Sequence, residues 1–353
     1  MLIIEDAICE SYSASDIKTM GAEINTLETD FKITLEGFTT EQEANNIGNF
    51  TLEAIRALTK NLNLDISKLK HVVVSYNFSE ALQNVTSIYQ HKSPSSFTNS
   101  KQGAAVGQLV TKIGSDGLCE EYTLVLSIDF FVELFNDGSF LKLNEEGYRA
   151  VIHRIHHELV HVHEKNLLTC LAQNFTVNEY GDALLISATR AWSEYLANYM
   201  SSGSAPQETI DLFLENLDTV VIEVSDEIEN LILNYKRDNI SLNEMYLEAK
   251  KRIKLIINSY AYAIGYVHSL NININEYDPR LALTLSNSKI KNQLSELGVA
   301  FQNFYEKFND QRITGFDDYR EITLVIDEIY KRFGLALECP DWSSDSGLYI
   351  HVN

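Results

Sequence analysis

The apolar residues of this chain change period once, near residue 140, and that change limits what the chain can build. From about Asn144 to residue 334 they recur at three- and four-residue spacing, which predicts helices at 144–172, 181–201, 206–235, 241–270, 282–309 and 317–334. Gly203 and Pro206 separate the second and third, and Asp278-Pro279 breaks the chain after the fourth. Before residue 140 the signals are mixed. Residues 31–37 alternate around Ile33 and Leu35, 40–61 carry Ile47, Leu52, Ile55 and Leu58 at helical spacing, and 70–78 hold the β-branched run Val72, Val73, Val74. Residues 93–102 are polar and read as a loop. Strand-like runs at 106–113 and 122–128 flank Gly114-Ser115-Asp116-Gly117 and predict a hairpin. In the second run Tyr122, Leu124, Leu126 and Ile128 share one face. The expected class is α+β, with an α/β N-terminal part at 1–140, a mostly helical part at 141–335 and an irregular tail at 336–353.

At roughly 100–200 residues per domain, 353 residues point to two domains, with one large domain as the alternative. Twenty-eight basic against 50 acidic residues give a net charge of −22, which repels phosphate backbones and argues against nucleic acid as a partner. Four cysteines (Cys9, Cys119, Cys170, Cys339) stand far apart without a C-x-x-C pair, the usage of reduced thiols in a cytoplasmic protein. Glu5 and Asp6 follow Met1-Leu2-Ile3-Ile4 with no basic segment or long apolar run, so no signal peptide is expected. The most membrane-like stretch, 255–267, falls short of the roughly 20 apolar residues of a span and contains Asn258 and Ser259. No membrane partner is expected.

Five of the 9 histidines, His153, His156, His157, His161 and His163, fall within eleven residues. Among them His157-Glu158-Leu159-Val160-His161 has the form H-E-x-x-H. On a helix, residues four apart are stacked neighbours, so both imidazoles can reach one ion at about 2.0–2.1 Å. Glu158 stands about 100° round the helix, close enough to act on a metal-bound water without ligating. With Val151 at about 0°, Ile155, Leu159 and Val162 fall near 40°, 80° and 20°, and His157 and His161 near 240° and 280°. The histidines thus oppose an apolar stripe. The plainer alternative is a solvated helix rich in His and Glu. His153 shares the ligand stripe, where it either supports a ligand or sits as a satisfied core histidine, the commoner fate. His156 and His163 point about 100–160° away and read as structural.

A catalytic zinc takes three protein ligands and keeps a fourth position open. The form H-E-x-x-H-x-x-G-x-x-H fails, because Glu164 and Leu167 stand where Gly and His are required. Three glutamates compete for the third place. Glu164 lies on the histidine helix but too far along it for a compact tetrahedron. Glu179, in Val-Asn-Glu-Tyr-Gly, sits where Gly181 reads as a loop. Glu194 is preferred: it lies on a strong helix between Ala191 and Ala197, with Asn198 one turn on to hydrogen-bond a ligating imidazole. The alternative for Glu194 is a surface pair with Arg190.

His157-Glu158-x-x-His161 together with Trp192-x-Glu194-Tyr195-x-Ala197-Asn198 resembles the gluzincin metallopeptidases, especially the minimal minigluzincin and ImmA/IrrE kind, over about residues 105–200. The resemblance implies a zincin-like fold with a β-hairpin beside the active-site helix, its strand 122–128 holding extended substrate. It also implies one Zn2+ on His157, His161 and Glu194, Glu158 as general base, and a protein or peptide substrate. No Gly-x-Met-x-Asn element occurs upstream, so an aminopeptidase is not implied. In that family a Tyr or His stabilises the oxyanion. Here Tyr260, Tyr262, Tyr266 and His268 lie on one helix, where an aromatic stripe is more often core. The run Lys250-Lys251-Arg252-Ile253-Lys254 opens that helix as a solvated face or a docking point for an acidic segment. A zincin-like scaffold without catalysis is the second functional expectation.

Overall fold

The computed structural model describes residues 31–89, 99–100, 103–104, 106–115, 117–136, 139–140, 145–171, 177–339 and 348–353. Cys9, the N-terminal reading, most of the 93–102 loop and Asp116 lie outside the described residues. The fold is mixed α and β, largely helical with a small mixed sheet. Two compact units form: Met1–Asn174 with Gly203–Pro206, and Phe175–Ser202 with Gln207–Asn353.

The first unit contains β1 (Lys32–Glu36), α1 (Glu41–Leu62), β2 (Leu69–Ser75), α2 (Phe78–Ile88), β3 (Gly107–Ile113), β4 (Cys119–Ser127), a 3-10 stretch Ile128–Leu134 and α3 (Glu145–Leu167). Thr40 starts α1 by accepting the Glu43 N–H at 3.2 Å, and Asn63 stops it in the left-handed conformation. The four strands run β1-β2-β4-β3, parallel except for β3. Val73, Val110 and Val125 face α2 through Ala81, Leu82 and Val85. Val72, Val74, Leu124 and Leu126 alternate with them at 0% exposure, so the sheet is covered on both faces. The hairpin forms at its expected place, with Gly117 at φ 81° in the turn.

Two readings of this unit change. The β-branched run was expected to extend through 78, but the strand ends at Ser75, and Asn77 caps α2 by accepting the Glu80 N–H at 3.3 Å. The strand expected to hold substrate, 122–128, is interior, because β4 pairs with β2 on one side and β3 on the other. Among the described strands the outer position beside α3 belongs to β3. A hairpin alone does not say which of its arms joins the rest of the sheet.

The second unit contains a helical turn Glu179–Gly181, a π-helical stretch Asp182–Ile186, α4 (Ser187–Ser201), α5 (Gln207–Lys236), α6 (Leu242–Ser269), a turn Ile274–Tyr277, α7 (Pro279–Asn287), α8 (Lys291–Asn309), α9 (Arg320–Arg332), β5 (Leu335–Glu338) and β6 (Tyr349–Val352). Helix α6 packs along both α4 and α5. Gly265 permits this: a Cβ there would stand 2.7 Å from the Tyr195 carbonyl oxygen. The helix expected at 282–309 is two helices, because Ser288 is extended (φ −63°, ψ 138°). Gly181, read as a loop, is helical. The tail expected to be irregular pairs as an antiparallel ribbon, Leu335 opposite Val352 and Glu338 opposite Tyr349. Its partners are more than ten residues apart, beyond the reach of a local pattern. No described helix is long and apolar enough to cross a membrane.

Candidate metal centre

Helix α3 is built on its apolar stripe. Val151, Ile155, Leu159 and Val162 are at most 1% exposed, which fixes the helix's roll and turns His157 and His161 to the opposite side. There the two Nε2 atoms lie 3.2 Å apart with the rings edge-on at 86°. Two ligands on a tetrahedral zinc at about 2.0–2.1 Å are separated by about 3.3 Å. The spacing therefore suits a common ion as well as a proton shared between the rings.

Glu194 projects from α4, a helix held rigidly inside its own unit. Trp192 packs on Phe304 at 4.6 Å between ring centroids, and Tyr195 stacks on Phe301 at 4.9 Å. The ligand-type atoms of His157, His161 and Glu194 all lie within 4.8 Å of one another. Two imidazoles and one carboxylate form a donor set used by catalytic zinc and by other divalent metals. On donor chemistry and spacing, these residues fit one such ion.

Glu158 is half-buried and directs its carboxylate at the start of β3, where a Cβ on Gly107 would stand 3.1 Å from its Oε1. The competing carboxylates lie outside the cluster. Glu164 is buried on α3, and Glu179 accepts a hydrogen bond from Lys250 Nζ at 2.8 Å.

The other histidines serve the fold. His153 and His156 both set Nδ1 against Ser204 Oγ, at 3.2 and 3.0 Å, and burial pushes His156 down to about 3. His163 accepts the Asp65 N–H through Nδ1 at 2.8 Å. Its pKa is lowered by burial, against the pull of Asp65 and Glu164. Asn198, expected beside an imidazole, donates Nδ2 to the Tyr262 carbonyl at 2.9 Å and ties α4 to α6.

On α6, Tyr260 and Tyr266 are buried, and burial raises both phenols. Tyr262 stacks on Phe213 at 5.2 Å, and His268 Nδ1 meets the Tyr195 hydroxyl at 3.1 Å. The basic run is neutralised inside its unit. Lys250 and Lys254 both reach Asp182 at 3.0 Å, and Arg252 pairs with Glu227 and Glu248 at 2.7 Å. Burial raises the Asp182 carboxyl, but hydrogen bonds from Lys254 and Lys250 outweigh it and hold the pKa below the usual value. An acidic partner segment would have to displace these pairs.

Sequence reasoning missed Ser204 and Gly107. For Ser204 no local signal exists. For Gly107 one did, since a glycine inside a strand often marks close backbone approach. Comparison of the chain with family models, with curated proteins and with solved structures finds no match.

Proposed function

We propose that the protein is a cytoplasmic, zinc-dependent metallopeptidase of gluzincin type that hydrolyses peptide bonds in a protein or peptide substrate. The observation that carries this reading is the convergence of His157 and His161, 3.2 Å apart at Nε2, with Glu194 in the same cluster. His157 and His161 through their imidazole nitrogens and Glu194 through its carboxylate would hold the ion. When bound, zinc supplies Lewis acidity that polarises a carbonyl and brings the pKa of water toward roughly 7. Glu158 takes the water proton on its carboxylate and delivers it to the departing amine nitrogen. Four cysteines spread through the chain without a C-x-x-C pair support a reducing compartment.

Replacing Glu158 by Gln tests the reading. Zinc content stays at the wild-type level and cleavage of casein or a peptide library is lost. A wild type that binds metal, cleaves nothing in such a library and behaves like Glu158→Gln makes the protein a zincin-like scaffold. Iron or manganese as the bound metal of the purified protein would replace zinc in the proposal.

A further inference from the structure

We infer that Gly107 is a positioning residue for Glu158, an inference that rests on the general-base role proposed above. Gly107 opens β3, pairs with Leu126 of β4 and lies against α3. Glycine inside a strand weakens it, through backbone entropy and the missing side chain, so its presence needs a reason. Torsion does not supply one, because Gly107 lies outside the left-handed region that Gly37, Gly117 and Gly334 occupy. Space does. A Cβ at 107 would meet Glu158 Oε1 at 3.1 Å, Glu158 Cδ at 3.2 Å and Leu126 Cδ2 at 3.1 Å. These distances are tighter than ordinary contact, so one neighbour must yield. The α3 backbone is held by Leu159, Val160 and Val162 at 0% exposure, and Leu126 is equally buried. The half-buried carboxylate is the group with room to move. The missing methyl therefore lets the strand backbone act as a wall that sets where the Glu158 carboxylate stands.

The test is Gly107→Ala, made in wild type and in Glu158→Ala, with urea unfolding, zinc analysis and steady-state kinetics on the full chain as purified. A carboxylate pushed aside by a few tenths of an ångström lowers kcat about tenfold and leaves KM within about twofold, with zinc content unchanged. Gly107→Ala also lowers the urea midpoint in wild type, and at least about half of that loss disappears in the Glu158→Ala background. Gly107→Ala/Glu158→Asp, whose shorter side chain clears the methyl, turns over no more slowly than Glu158→Asp alone. Equal midpoint losses in both backgrounds, or an unchanged kcat, overturn the inference. A wild type that cleaves nothing overturns the metallopeptidase reading instead, and the unfolding arm then decides the role of Gly107 by itself.

Discussion

Lys250 Nζ lies 2.8 Å from the Glu179 carboxylate and 3.0 Å from that of Asp182, at the foot of the helix that also carries Tyr260 and His268. One of the carboxylates that competes in the sequence for a metal is thereby held by an ammonium group. Glu179→Ala is expected to leave the metal content unchanged, whereas Glu194→Ala lowers bound zinc at least about tenfold. Elemental analysis of the two purified variants beside wild type reads both outcomes. Wild-type zinc in Glu194→Ala would remove Glu194 from the ligand set.

Acid is expected to destabilise the fold through its buried histidines. Burial pushes His268 down to about 4, and it lowers His156 and His163 as well. Between the folded values and the unfolded value of about 6.5, the unfolded chain binds more protons, so stability rises with pH there. It is fully present above about 6.5 and is lost as pH falls toward about 4. The thermal midpoint should drop on acidification from about pH 7 to about pH 5, and His268→Asn should flatten part of that slope. A midpoint that climbs over the same interval contradicts the assignment.

Ser204 gives one hydroxyl to two imidazoles, those of His153 and His156. Ser204→Ala withdraws it from a buried polar cluster and should cost about 1–3 kcal/mol in denaturant unfolding. Ser204→Thr keeps the oxygen and should recover most of that loss. If Ala and Thr prove equally stable, the hydroxyl is not what holds the cluster.

Asp278 caps α7 with Oδ1, accepting the N–H groups of Arg280 at 3.1 Å and Leu281 at 3.0 Å, with Pro279 as first residue. Asp278→Ala should lower stability by about 1 kcal/mol, and Asp278→Asn by much less. Equal losses would mean that charge at the helix start matters more than the cap.

Local pattern carried a large part of the fold. The helical period after Asn144 places α5 and α6 within about one residue of their observed bounds, and α3 and α4 within about six. The stripe Val151, Ile155, Leu159 and Val162 determines that His157 and His161 face away from the core, because four-residue spacing and burial are both properties of one helix. The breaks at Ser75 and Ser288, the helix Phe78–Ile88 and the paired strands near the C-terminus were not legible. Each depends on a cap, a short amphipathic segment or a partner outside the reading window.

The same division holds at the candidate site. H-E-x-x-H is contained in five residues, and a helix alone brings its imidazoles together. Which carboxylate comes near them is a matter of tertiary structure. Glu179 is drawn to Lys250, 71 residues away, while Glu194 stands in the cluster with His157 and His161. Strand order likewise put β3 beside Glu158 and β4 inside the sheet, which no property of either arm dictates. Sequence periodicity reports forces acting over one or two turns of chain. Ion pairing, strand order and the approach of Gly107 to Glu158 arise only when distant segments meet.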